Sequence, residues 1–225
     1  LREQFVIFGN KHNWVMTILY IMTFGSFIGF SSAFPKLIAD VFGYIRVDEA
    51  GQSLAVAVAN PNAPNPFVFA WLGPLVGSLI RPIGGWLSDK FGGAVVTQWS
   101  TVVMILATIG VAWTVIAASQ SATPDALFVP FLALFLLLFV MTGIGNGSTF
   151  RMIPIIFPPH LAGPVLGWTS AVAAYGAFIA PRVMGEQIQA GTPELAMYGF
   201  AIFYAVCLVI NWWFYLRPNA YVKNP

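Results

Sequence analysis

The chain has 225 residues, of which 58% are hydrophobic and 8% charged, with a formal net charge of +2. A soluble domain carries roughly 25% charged residues. Too few charges are present to solvate a surface, so a water-soluble globule is excluded and lipid is the expected solvent. The small net charge gives no reason to expect nucleic acid or an acidic partner surface, and the single cysteine, Cys207, excludes an internal disulfide.

Apolar runs recur at about 10–35, 67–88, 94–118, 127–157, 165–185 and 197–216. Each can cross a hydrocarbon core ~30 Å thick, which takes ~20 helical residues. The expected fold is all-α, a polytopic membrane protein with six transmembrane helices spread over residues 1–225. Lys and Arg near span ends set the orientation. With the N-terminus in the cytoplasm, Arg2, Lys11, Lys90, Arg217 and Lys223 fall inside, and Lys36, Arg46 and Arg182 outside. The acids Asp48, Glu49, Asp125, Glu186 and Glu194 then also fall outside. Both termini of this segment are expected in the cytoplasm. The first residue is not Met and no secretory signal layout precedes the first span, so a piece of a longer protein is expected.

Residues 1–12 read as a polar, basic lead-in. The first span carries Gly25 and Gly29, four apart, beside Ser26, Ser31 and Ser32, a spacing that lets helix backbones approach closely. Tyr20 and Phe24 share one face of it, with Phe27 nearby, and Pro35 and Lys36 mark its outer end. Residues 40–66 form the one long connection, expected as an extracytoplasmic loop. Its segment Asn60–Pro66 (NPNAPNP) cannot hold a regular helix or strand ladder, because each proline removes a donor and restricts its neighbour.

The second span has Gly73 and Gly77, then Arg81, Pro82, Gly84 and Gly85. Such defects are tolerated at membrane depth where the backbone is buried in protein or lines a cavity. A tight turn, Ser88–Gly93, follows, and a short polar loop with Thr123, Pro124 and Asp125 joins spans three and four. The fourth span passes beyond Val140 into Thr142–Arg151 (TGIGNGSTFR). In water this would read as a loop. At membrane depth it reads as a glycine-thinned, tightly packed helix with Asn146 and Ser148 facing something polar, stopped by Pro158 and Pro159. The fifth span is rich in small residues, with Gly163, Gly167 and Ser170–Phe178. The sixth ends in Trp212, Trp213, Phe214 and Tyr215 beside Arg217, an interfacial aromatic belt, and Cys207 within it reads as a small apolar core filler.

Arg81 is the residue that lipid should reject. A guanidinium stays charged at any physiological pH, and at membrane depth it costs at least ~2.5–3.5 kcal/mol on insertion scales. Asp89 lies ~12 Å further along the helix, so a snorkelling side chain of ~6 Å reaches the interface only in part. Two readings are open: contact with a small anion in transit, or a structural bridge to carbonyls or to Asp89. Arg151, seven residues before Pro158, is either a second cation of the same site or a residue snorkelling at the inner mouth. No Asp or Glu lies mid-span, which leaves no carboxylate proton relay and no acid ring for a cation path. A fixed positive charge among small polar neighbours favours an anion. A dry aromatic wall would strengthen its pull, and a tyrosine hydroxyl can donate to an oxyanion. Ser148 would need a base within reach to act as a nucleophile, but the only histidines, His12 and His160, lie at or beyond span ends. No enzyme, metal site or cofactor is therefore expected. A six-helix anion channel is the alternative from a different class.

RPIGGWLSDKFGG (Arg81–Gly93) resembles the loop signature of the major facilitator superfamily, in its second-half copy. NWVMTILYIMTFGSFIGFSSAFP (Asn13–Pro35), GNGSTFRMIP (Gly145–Pro154) and LGWTSAVAAYGAFIAP (Leu166–Pro181) resemble the nitrate/nitrite porters within it, the last their second nitrate-signature helix. These motifs cover most of the chain in family order, whereas the loop signature alone names only the superfamily. The resemblance implies twelve spans in two pseudo-symmetric halves with the substrate midway. This chain would be spans seven to twelve, and the N-terminal six-helix half its partner. The implied function is secondary transport of nitrate or nitrite across the cytoplasmic (inner) membrane of a prokaryote, in nitrate assimilation. The mode would be nitrate/nitrite exchange or proton-coupled uptake, and the lack of mid-span acids leans towards exchange. A carrier for another small or organic anion is the alternative. By the same resemblance Arg81 is one of two arginines clamping the anion. Tyr20, Phe24 and Phe150 match pocket residues, and Gly167 matches a glycine of the signature helix. Asn146 and Ser148 are added from the residues alone. Three features depart from the family pattern: the length of 40–66, Ala173 where a glycine is expected for close helix approach, and Arg151 where other members carry a neutral residue.

Overall fold

The computed structural model describes the backbone of residues 2–225 and side chains from Phe5 on, so Leu1 of the lead-in and the charge counted for Arg2 lie outside the described residues. Without water to satisfy them, backbone groups in lipid must pair within the segment, which makes each apolar run a helix. Six helical runs are long and apolar enough to cross a membrane: Lys11–Phe42, Pro66–Phe91, Gly93–Ser119, Pro124–Ile156, Pro159–Gln189 and Pro193–Leu216. The chain is a multi-pass, all-α membrane protein.

The first span is α1 (Lys11–Tyr20), one wide turn over Ile21–Gly25 with i→i+5 bonding, and α2 (Ser26–Phe42). Asn10 caps α1 by accepting the His12 N–H at 2.9 Å. The helix runs through Pro35 to Phe42, past the end read from the sequence, and its added turns carry a Lys36–Asp40 pair at 2.5 Å. The rest of the expected loop is not all irregular. Strands β1 (Tyr44–Val47) and β2 (Ser53–Ala59) form an antiparallel hairpin. It turns on Asp48, whose carboxylate accepts the Ala50 and Gln52 N–H groups at 3.0 and 2.7 Å. The valines of SLAVAVA favour a strand, and the prolines that argued against one all lie beyond Ala59. Asn60 pins the hairpin, donating to the Phe42 carbonyl at 2.9 Å and to Asp125 at 3.2 Å. Regular structure resumes at the single-turn α3 (Pro66–Phe69).

Helices α4 (Leu72–Phe91) and α5 (Gly93–Ser119) meet at Gly92, whose φ of 89° makes the sharp turn that a side chain would strain. A 3₁₀ turn, Pro124–Leu127, leads into α6 (Phe128–Ile156), which stays helical through all the glycines of TGIGNGSTFR. The fifth span breaks at Tyr175 into α7 (Pro159–Ala174) and α8 (Gly176–Gln189). The sixth is α9 (Pro193–Asn211) with a wide turn over Trp212–Leu216. Trp212 and Trp213 are exposed as a belt should be, and the Arg217 guanidinium lies 4.5 Å from the Trp213 ring centre. Tyr215 departs from that reading: it is fully buried and its hydroxyl contacts His12 Nδ1 at 3.2 Å.

Lipid tails are as apolar as the side chains, so close packing rather than hydrophobic burial holds the helices together. Two devices supply it. A ladder of phenylalanines fills the space between α2 and α6: Phe42 on Phe131 at 4.9 Å, Phe34 stacked on Phe135 at 4.6 Å, and Phe27 edge-on to Phe139 at 6.0 Å. The second device is close approach at glycines. A Cβ on Gly176 would sit 2.2 Å from the Gly25 carbonyl oxygen, and one on Gly25 would sit 3.1 Å from the Ala173 carbonyl oxygen. The approach questioned at Ala173 therefore occurs, because Gly25 across the interface provides the space. Gly176→Ala should lower the thermal stability of the membrane-extracted protein by about 1–3 kcal/mol through overpacking. Gly199→Ala, where nothing lies within 4 Å, should not. Parallel thermal unfolding of the two variants checks this.

Candidate functional site

Helices α4 and α6 run parallel and touch along a backbone seam. A Cβ on Gly143 would sit 2.3 Å from the Gly77 oxygen, and one on Gly147 would sit 2.2 Å from the Arg81 oxygen and 2.9 Å from the Gly85 nitrogen. The seam fixes where Arg81 leaves its helix. Its guanidinium lies over two rings of the first span, 4.3 Å from the centre of Phe27 and 5.3 Å from that of Phe24. Both are within cation–π range. Phe27 is the last rung of the phenylalanine ladder, so the charge sits where the dry core ends. No carboxylate of the described residues pairs with Arg81, and its Nε is buried without a hydrogen-bond partner.

Beside it opens a hollow of about 510 Å³ lined by Tyr20, Ser78, Arg81, Pro82, Gly85, Asn146, Gly147, Phe150 and Arg151. Asn146 is 4% exposed and its Nδ2 has no partner. Tyr20 is buried, with ring centres 5.3 Å from Phe24 and 6.5 Å from Phe150. Tyr20 ends α1 and Phe24 lies in the wide turn that follows. That turn is held to α6 by Thr23, whose hydroxyl meets that of Thr149 at 3.0 Å. The arrangement offers a fixed cation, an amide donor and aromatic walls, a set suited to a small anion.

The structure thus brings together Arg81, Tyr20, Phe24, Phe150, Asn146 and Arg151. One expected site residue is corrected. Ser148 does not face the hollow: fully buried, it contacts the Thr97 hydroxyl at 2.7 Å and donates to the Gly93 carbonyl at 2.7 Å, tying α6 to α5. Gly167 lies on an exposed face of α7, outside the lining of this hollow, with nothing within 4 Å of where its Cβ would be. A structural bridge from Arg81 to Asp89 is also corrected, because Asp89 takes Arg151 instead, through Nε. Both members of that pair are half exposed. Missed from the sequence were Phe27 as the nearest ring to the guanidinium, and Ser78, Pro82 and Gly85 in the lining. The helical spacing of Ser78 and Gly85 from Arg81, three and four residues, was the available signal.

Over 222 residues the chain is 45% identical to the probable nitrate/nitrite antiporter NarK2 of Thermus thermophilus, covering 97% of this chain and 45% of that protein. It is 30% identical over 239 residues to the nitrate/nitrite transporter NarU of Escherichia coli K12, covering 96% and 46%. The chain belongs to the nitrate/nitrite transporter family. A more distant relative, the nitrite extrusion protein of Bacillus subtilis, is 28% identical over 95% of this chain and 47% of its own length. The chain spans about half the length of these relatives. No family model matches it.

Ser148→Ala would leave the Thr97 hydroxyl and Gly93 carbonyl short of a partner inside the helix packing, at about 1–3 kcal/mol. The variant should melt earlier yet keep the wild-type KM for any transported anion. A KM change without a melting shift would return Ser148 to the site.

Proposed function

We propose that this chain is the C-terminal six-helix half of a secondary transporter that moves nitrate or nitrite across the cytoplasmic membrane. Transport would occur by alternating access, the two halves rocking about a substrate held between them. The observation that carries this reading is the unpaired Arg81 guanidinium, held over Phe24 and Phe27 at the edge of an open hollow in a membrane protein. Its relatives' names point to the same anions.

In this reading Arg81 supplies the charge, and the planar guanidinium fork matches two oxygens of a planar oxyanion. Asn146 donates its free amide hydrogens from α6. Tyr20, Phe24, Phe27 and Phe150 keep the surroundings dry, so a single charge pair acts strongly. The second arginine of the clamp belongs to the other half, and both termini of this segment lie in the cytoplasm. Residues 1–225 act as one transmembrane unit, with 40–66 on the outer side. None of the helices described offers a mid-span carboxylate, which favours exchange of nitrate for nitrite over proton coupling through this half.

The test is anion flux in vesicles holding the full-length transporter. Arg81→Lys keeps the charge but loses the fork, and should lower kcat/KM for nitrate about tenfold to a hundredfold. That matches the ~1.5–3 kcal/mol of hydrogen bonds to a charged group. Arg81→Gln should abolish flux. Wild-type flux from the lysine variant rejects the role given to Arg81. Competition against labelled nitrate by nitrite but not by formate or lactate is expected, and stronger competition by the organic acids would reassign the substrate.

A further inference from the structure

Two arginines line one hollow, and their surroundings differ. Arg81 has aromatic rings and no carboxylate, whereas Arg151 has Asp89. Parallel α4 and α6 put Arg81 beside Gly147, so Arg151 lies one turn, ~6 Å, further towards the α4–α5 turn. The hollow therefore has a deep cation and, at its mouth on that side, a second cation with a counter-ion. The Arg151–Asp89 pair is half exposed on both sides, and such solvent-screened pairs contribute little to stability. It is cheap to break. Asp89 engages Nε, which leaves the terminal nitrogens of Arg151 free to bond elsewhere.

We infer that Arg151 is a second, exchangeable anion ligand at the mouth of the hollow, and that Asp89 is the competitor that releases the anion from it. This rests on the reading of the hollow as the nitrate or nitrite site. An oxyanion leaving Arg81 meets the free guanidinium nitrogens of Arg151 one turn away. A naked second arginine there would hold it and slow its exit. The Asp89 carboxylate competes for the same guanidinium, so the anion is held only in passing. A path conducts when its sites bind well enough to admit the ion and weakly enough to release it. The pair makes no demand on the helix seam, since only side chains move.

The experiment measures nitrate flux and KM in vesicles with the full-length transporter, comparing wild type, Arg151→Gln, Asp89→Asn and the charge swap Asp89→Arg with Arg151→Asp. Arg151→Gln should raise KM about tenfold, the scale of one charge-assisted hydrogen bond. Asp89→Asn should lower KM and also lower kcat, because the arginine no longer lets go. The swap should not restore wild-type KM, since it places a carboxylate in the hollow. A purely structural pair gives a different pattern: KM and kcat unchanged in both single variants and in the swap, with at most a small melting shift in the single variants that the swap recovers. That pattern overturns the inference and leaves the role of Arg81 standing. Wild-type vesicles that move neither nitrate nor nitrite overturn both. Thermal stabilisation of each purified variant by nitrate gives a second reading of affinity wherever flux is too low to fit, with the same ordering expected and the same contrary ordering decisive.

Discussion

A permanent positive charge within a membrane span, paired with no carboxylate of the described residues, is the constraint around which this chain is built. In lipid the Arg81 guanidinium costs several kcal/mol, and the fold offsets that cost without neutralising it. Two phenylalanine faces take part of the charge, each contact contributing up to about 2 kcal/mol when dry. The rest faces a hollow that Asn146 shares. Had Asp89 reached Arg81, the site would be electrically complete and an oxyanion would gain little by entering. The chain does carry that carboxylate nearby, but gives it to Arg151.

Placement of that charge depends on backbone contact more than on side-chain packing. The Arg81 carbonyl lies against Gly147, and the Gly77 carbonyl against Gly143, so α4 cannot slide along α6 without a clash. On the other side, the phenylalanine ladder carries rigid rings from Phe42 down to Phe27, directly under the guanidinium. A second glycine seam, Gly25 against Gly176, sets α8 against the first span. Small residues and rings alternate as spacers and fillers, which is how helices associate where water provides no push.

Much of this was readable from composition and spacing. Six apolar runs imply six helices because lipid allows a spanning chain few other solutions. Arg81 stood out because its cost is large and its residue type cannot neutralise itself. Asn146 stood out for a similar reason, as an amide among glycines, and it lines the hollow. Ser148 failed on geometry that the sequence contained: residues two apart on a helix point ~200° apart, so Asn146 and Ser148 cannot both face one hollow. The motif that singles out Gly167 names a helix but not the face it turns, and the residue lies on an exposed face of α7. The wide turn over Ile21–Gly25 has no composition of its own and depends on contacts with distant Thr149. The partner of Asp89 was equally hidden, being 62 residues away on a helix whose register only the folded seam decides. The hairpin at 44–59 had a signal, the alternating valines of β2, which the prolines after it overshadowed.

The turn that follows Asp89 is held as firmly as the seam above it. Asn224 accepts the Val95 N–H at 3.0 Å and donates to the Phe91 carbonyl at 2.8 Å, while the Pro225 carbonyl accepts the Gly93 N–H at 2.5 Å. The backbone on both sides of the Arg151–Asp89 pair is thus tied, by glycine contact at one end and by this clasp at the other. The two ends of the hollow therefore differ in kind. Arg81 is immobilised by rings and a backbone seam, which in the proposed reading lets it hold an anion in one place. Arg151 is tethered only by a half-exposed carboxylate, and can change partners by side-chain rotation alone. In that reading a fixed charge and a yielding one on the same wall give the hollow a direction, and the asymmetry needs no movement of the helices that build it.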